Sequence, residues 1–199
     1  QIDFNSLPNS FVIKCNHGCK WHYIIKDKEK YLSNKKLVEI TRRQITGWLE
    51  QNFSFWNGFE LHYSNTKPQI LIEPLIRSNI NFDNEHIHFY CFSGDIKLIF
   101  RQYGDNTETV YNEKFELIDS PFMTSDKIIK KEADSVIKNI IHQTKKLAEK
   151  FNFVRVDWMI LSGHGKLEKI YFEELTFTPY SGFHKFKNQK LNLELGNLL

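Results

Sequence analysis

The stretch from Phe153 to Phe177, FVRVDWMILSGHGKLEKIYFEELTF, decides what kind of sheet this chain builds. Two apolar, β-branched and aromatic runs, 153–161 and 168–177, flank the turn-rich SGHGK at 162–166, which predicts two facing antiparallel strands. Strand side chains alternate, so Arg155 and Asp157 share one face while Val154, Val156 and Trp158 take the other. By the same parity Glu174, Thr176 and Thr178 face one way, and Leu175 and Phe177 the other. The pair therefore predicts one core face and one face of Arg, Asp, Glu and Thr. Carboxylates that would repel across a hairpin need a reason to be together. Two reasons fit. Arg155 pairs with Asp157 or Glu174 on a solvated sheet face, or a hard Mg²⁺ takes the carboxylates together with phosphate oxygens.

Upstream, a helix is expected from about Ile128 to Phe151, its apolar stripe running through Ile129, Ala133, Val136, Ile137, Ile140, Ile141, Leu147 and Ala148. Before it, HIHFYCF and IKLIFRQY are strands joined by SGD (93–95), a Gly-containing hairpin turn, with a further short strand at ETVYN. The first third reads strand, loop, strand, helix, strand. SFVIKC (10–15) and WHYIIK (21–26) are strands around a flexible polar tip, NHGCK. A helix follows, capped by Ser33 or Asn34, with Leu37, Ile40, Ile45, Trp48 and Leu49 at roughly helical spacing. QILIEPLI (69–76) reads as a buried strand whose pairing ends near Glu73, because Pro74 interrupts it. The whole is an α+β chain with mostly antiparallel pairing.

Lys14 raises a question of its own, since it sits behind Phe11, Val12 and Ile13 in that first strand. An ammonium placed there demands an anion, either a side chain of the protein or the phosphate of a ligand.

Composition narrows the function classes. At 199 residues the chain can bury a real core. Lys+Arg 27 against Asp+Glu 24 leaves only +3, with basic and acidic residues interspersed, so no nucleic-acid partner is expected. Three cysteines, Cys15, Cys19 and Cys91, form no even framework, and no signal segment opens the chain, which predicts a cytoplasmic protein. Apolar runs are too short for a transmembrane segment. Cys15, His17, Cys19 and His22 invite a zinc reading, but four ligands this close on strands of alternating face suit a tetrahedral site poorly. Cys91, between Tyr90 and Phe92, reads as a small buried hydrophobe.

A series of blocks carries a resemblance: LPNSFVIKCNHGCKW (7–21) with IIKDK, then HYSNTKPQILIEPLI (62–76), HFYCFSGDIK (88–97), FVRVDWMI (153–160), IYFEELTFTPYSGF (170–183) and a closing LGNLL. In this order they resemble the TupA-like ATP-grasp family of teichuronopeptide and capsular polysaccharide biosynthesis. The resemblance implies an ATP-grasp fold, with a small nucleotide-binding lobe at 1–72 and a large lobe with the metal site at 73–199, ATP lying between them. It implies an ATP- and Mg²⁺-dependent ligase that joins the carboxylate of a glycan uronic acid, or its sugar precursor, to an amine or amino acid through an acyl phosphate. Asp157, Glu174 and Thr176 fall on the metal ligands, Thr176 standing where ATP-grasp enzymes at large usually carry Asn. Arg155 and Lys14 fall on catalytic positions, and Lys14 also on the nucleotide phosphates, so that the anion it demands is ATP. His17, Gly18, Cys19 and Lys20 fall on the lid over those phosphates, with Lys26 as a further nucleotide contact. Glu73 and Leu75 fall at the adenine-binding hinge, and His86 and His88 where the ribose and phosphates are contacted.

Three departures accompany the resemblance. The lid usually continues with Ser and Gly where Cys19 and Lys20 stand, and the hairpin usually begins with an Asp-Tyr-Lys run where His86 and His88 stand for the Asp and Lys. The family also has a region before LP that contributes another lysine and a lobe near the acceptor. A chain beginning at Gln1 is expected to lack it, binding nucleotide but turning over poorly. Two alternatives stay open: a nucleotide-binding module with lost or weak catalysis, and a polyanion-binding domain. His184 and Lys185, just past the SG, touch either a substrate carboxylate or solvent.

Overall fold

Phe11–Cys15 forms β1, whose Phe11, Ile13 and Cys15 are buried while Val12 and Lys14 turn to a half-exposed face. In this computed structural model, residues 2–55, 60–76, 85–103, 107–122, 127–128, 135–163 and 166–199 are described. The chain divides into two units, Gln1–Ile76 and Arg77–Leu199. Unit 1 continues with β2 (His22–Ile25), α1 (Lys28–Ser33), α2 (Lys35–Glu50) and β3 (Ile70–Pro74). Its sheet has the order β2-β1-β3, both pairings antiparallel.

The expected cap of α2 is present, Asn34 Oδ1 accepting from the Leu37 N–H at 3.0 Å. The short α1 was not foreseen; Asp27 caps it, accepting from the Lys30 N–H. The buried stripe of α2 also differs from the expected one. Thr41, Ile45 and Trp48 are buried and Val38 packs against that core, whereas Leu37, Ile40 and Leu49 are exposed. Positions 38, 41, 45 and 48 form one face of a 3.6-residue period, and the expected set mixed that face with its neighbour. Strand β3 is corrected too. It is an edge strand with only Ile70 and Ile72 half-buried, and pairing runs on through Pro74, opposite Phe11, to the Leu75 N–H, which donates to the Ser10 carbonyl at 3.0 Å. Proline is tolerated there because an edge strand has only one ladder to fill.

Unit 2 comprises β4 (Glu85–Phe92), β5 (Asp95–Gln102), β6 (Thr107–Asn112), β7 (Leu117–Ile118), β8 (Lys127–Ile128), α3 (Ser135–Ala148), β9 (Phe153–Gly163), β10 (Lys166–Thr176) and α4 (Gln189–Gly196). The sheet order is β10-β9-β4-β5-β6-β7, antiparallel throughout, with β8 joining β6 in parallel. β4 and β5 meet through the two-residue turn Ser93–Gly94, with φ of 48° and 85°. Positive φ at both central positions matches the right-handed twist of the strands. Helix α3 starts later than expected: Ile128 lies in β8, and Ile129 and Ala133 lie outside the described residues. No described helix is long and apolar enough to cross a membrane.

The sheet of unit 2 buries two clusters on opposite faces. Ile87, Phe89, Cys91, Val154, Val156, Trp158 and Ile160 pack against Val136, Ile137, Ile140 and Ala148 of α3. Trp158 Nε1 also donates to Thr144 Oγ1 at 2.9 Å, so the one polar side chain buried on α3 is satisfied. On the other face, Tyr90, Phe92, Leu98, Phe100 and Val110 gather with Phe122 and Leu195. Cys91 is fully buried among apolar neighbours, and burial pushes its thiol up to about 12, so it is inert packing.

Candidate functional site

The face of unit 2 opposite α3 carries the charges. The expected parity holds along β9, where Val154 and Val156 are fully buried under α3 and Arg155 and Asp157 point the other way. On β10 a bulge between Phe172 and Glu174 adds one residue, so that Phe172 stands opposite Trp158, Glu174 opposite Asp157 and Thr176 opposite Arg155. This re-aims Glu174 and Thr176 onto the Arg155/Asp157 face while Ile170 and Leu175 both remain against the core.

There Arg155 forks onto Asp157, Nε to Oδ1 at 2.8 Å and Nη2 to Oδ2 at 2.6 Å. Thr176 Oγ1 accepts from Arg155 Nη2 at 3.2 Å and lies 3.2 Å from Asp157 Oδ2 and 3.0 Å from Glu174 Oε1. Its one proton can serve either carboxylate. From β4, His88 Nδ1 lies 2.9 Å from Asp157 Oδ1, its Nε2 3.2 Å from Gln102 Oε1, and His86 Nδ1 2.8 Å from Glu173 Oε2. Tyr90 stands opposite Arg155 in the ladder, near enough for the guanidinium charge to act on its phenol.

The electrostatics separate the two carboxylates. Asp157 is 1 % exposed, and burial works to raise it, but the bonds and charges of His88 and Arg155 prevail and hold it at about 2. Glu174 has an exposed side chain; its partial burial, and then the charge of Asp157, raise its carboxyl above the ordinary value. Glu173 raises His86 against the opposing effect of burial.

All three candidate ligands offer oxygen, as a hard cation requires, and Mg²⁺ needs only one or two carboxylates beside phosphate and water. The carboxyl of Glu174, raised by partial burial and then by the charge of Asp157, is one that a bound cation would stabilise in its ionised form. Glu174 and Thr176 therefore fit. Asp157 fits only if Arg155 or His88 yields, because both its oxygens already accept from them. Among the described residues no group of three or more His, Cys, Asp and Glu side chains is placed to hold a metal.

In unit 1, Lys14 is 40 % exposed and its ion-pair partner is Glu73 of β3. The anion that Lys14 demands is thus supplied within unit 1, by a half-exposed pair of the sort that contributes about 1 kcal/mol or less. The 16–20 loop is more firmly tied than a free polar tip. His17 is buried, with Nε2 2.7 Å from the Trp48 carbonyl, and Asn16 Oδ1 accepts from the Gln69 N–H at 2.8 Å. At Gly18 a Cβ would lie 2.8 Å from the Trp21 ring and 3.1 Å from Phe53, which is why no larger residue fits. Cys19 and Lys20 are the exposed part of the loop, and Lys20 has φ +60°. Lys26 is exposed and Leu75 half-buried. Cys15 and His17 are buried while Cys19 and His22 are exposed, so the zinc set is not drawn together.

Glu173, Gln102 and Tyr90 join the site without having been anticipated. A bulge leaves no periodic signature, so only coordinates reveal that Glu173 reaches His86; Gln102 and Tyr90 needed the β4–β5 and β4–β9 registers.

A family model described as TupA-like ATPgrasp matches residues 1–199. No curated protein and no solved structure gave a match.

Proposed function

Because this chain belongs to the TupA-like ATP-grasp family, we propose that it is an ATP- and Mg²⁺-dependent carboxylate–amine ligase acting on a uronic acid of a cell-surface glycan or its sugar precursor. The observation that carries the proposal is the Arg155–Asp157–Thr176–Glu174 network on one sheet face. A purely structural ion pair would need Arg155 and Asp157 alone; Glu174, opposite Asp157 and with an exposed side chain, adds a second carboxylate 3.7 Å from the same guanidinium.

In this reading Glu174, Thr176 and Asp157 hold Mg²⁺, which when bound neutralises polyphosphate charge. Lys14 exchanges Glu73 for a nucleotide phosphate, and Lys20 adds a second cation from the loop. An oxygen of the substrate carboxylate attacks the γ-phosphorus and the bond to the β-phosphate oxygen breaks, releasing ADP. The amine lone pair then attacks the acyl carbon, the C–O bond to phosphate breaks, and the nitrogen proton leaves with phosphate. Little covalent work falls to the protein in the first step, where positioning and charge stabilisation dominate. Arg155, released from Asp157, steadies the developing oxyanion of the second. Phosphate release from Mg·ATP, dependent on both a uronate-bearing glycan and an amine, tests the proposal; release indifferent to both refutes it.

A second reading is favoured by one observation: Arg155 and His88 together occupy both Asp157 oxygens. If they do not yield, the chain is a nucleotide-binding module with weak turnover. Mg·ATP binding without phosphate release under the same assay would select it.

A further inference from the structure

On the face that carries the carboxylates, unit 2 has an open cavity of about 310 Å³. Its wall is made of rings, Tyr90, Phe122, Phe153, Tyr180 and Phe186, with Leu195 of α4 among them. Phe122 lies 5.0 Å from Phe186 and 4.8 Å from His184, and Tyr180 stacks on His184 at 3.5 Å between ring centroids. The cavity adjoins the charged network directly. Phe177 and Thr178 of its wall follow Thr176 in sequence, Tyr90 stands opposite Arg155 in the β4–β9 ladder, and the Arg155 guanidinium lies 6.0 Å from the Tyr180 ring.

The chemistry of the wall selects the occupant. A sugar would bring several hydroxyls, each costly when buried unpaired, against a wall that is mostly carbon. A carboxylate would need a cation, and no lysine or arginine lines the cavity. The imidazole of His184 adds no charge at neutral pH, since burial and then the charge of Arg155 keep it below its ordinary value. The backbone at the mouth is under constraint as well. Tyr180, Ser181 and Gly182 have φ of 53°, 54° and 76°, and a Cβ on Gly182 would meet nothing within 4 Å. Consecutive non-glycine residues in the left-handed region are uncommon and concentrate where a ligand clamp fixes them.

We infer that this cavity receives the apolar side chain of the amine co-substrate, an aromatic or branched aliphatic amine. With the side chain held by the rings, the nitrogen stays outside the apolar wall, and it is as the free base that it attacks an acyl carbon. The identity of the occupant as a co-substrate rests on the ligase reading above; the preference for an apolar ring rests on the cavity alone.

The test uses 2-phenylethylamine and ethanolamine as probes of the full chain, with chemical-shift mapping by NMR and, in parallel, calorimetric titration of Mg·ATP. Phenylethylamine is expected to shift the resonances of Tyr180, Phe122 and Phe186 and to bind at least about tenfold more tightly than ethanolamine. Tyr180→Ala, a change at a half-exposed position, is expected to reduce that preference severalfold. Equal affinity for the two amines, or shifts confined to other surfaces, overturns the inference on the unsubstituted protein whether or not the variant folds. Aryl preference without any Mg·ATP binding would uphold the cavity and remove the ligase reading, so the two failures are distinguishable.

Discussion

Glu174 stands directly opposite Asp157 in the β9–β10 ladder, and Thr176 Oγ1 lies within 3.2 Å of both carboxylates. The two acids nonetheless have opposite protonation tendencies, Asp157 held at about 2 and Glu174 raised. Environments that push neighbouring carboxyls apart are a mark of functional sites.

Asp157 is tied into the fold as well as into the site. Asp157→Asn removes the anion beside His88 and leaves the Arg155 guanidinium, with a side chain 12 % exposed, only the more distant Glu174 at 3.7 Å. Breaking a buried pair by removing one partner typically costs about 3–5 kcal/mol. Urea denaturation should show a loss of that order, and Asp157→Asn combined with Arg155→Met should recover much of it. Equal stability of the single variant and the parent would show that the pair is not buried as described.

Lys20 occupies the left-handed region at φ +60°, at the position where the family usually carries glycine. A side chain there costs about 1–2 kcal/mol relative to glycine. Lys20→Gly is therefore expected to stabilise unit 1 somewhat, offset by the extra freedom of the unfolded chain, while weakening Mg·ATP binding through loss of a cation. Thermal melts and nucleotide titration read the two effects separately; a variant both less stable and unchanged in affinity would oppose this account of the loop.

His86 gains from Glu173 a partner that raises its folded pKa above the ordinary 6.5. A raised value means the contribution to stability is fully present below pH 6.5 and lost as pH rises through the higher folded value. The His86→Asn variant should thus differ from the parent more at pH 6 than at pH 9 in denaturant midpoint. A difference constant with pH would show that the His86–Glu173 contact contributes no charge-linked stability.

Much of the charged face was legible in sequence because alternation is a strict rule. Arg155 and Asp157 are two residues apart on one strand, so no coordinates were needed to put them together. The pairing of Glu174 with Asp157 was legible only as an antiparallel hairpin; the bulge that sets its register was not. Helical stripes proved harder, since a 3.6-residue period lets adjacent faces trade places, as Leu37 and Ile40 did with Val38 and Thr41. For Lys14 the sequence leaves two anions open, a side chain or a phosphate, because the β1–β3 register that brings Glu73 within reach of it has no local signature. Helices α1 and α4, at Lys28–Ser33 and Gln189–Gly196, are too short to show a period, and their caps Asp27 and Asn188 were the signals passed over.

The claim that Glu174 belongs to a metal–nucleotide site is tested most directly by calorimetric titration of Mg·ATP against the parent and Glu174→Gln. Because its raised carboxyl means that ionisation is less favourable in the folded than in the unfolded chain, neutralising Glu174 should leave the melting temperature equal or higher. Affinity for Mg·ATP should fall at least about tenfold, about 1.4 kcal/mol. An unchanged affinity in a stably folded Glu174→Gln, or no Mg·ATP binding by the parent protein, would contradict the account.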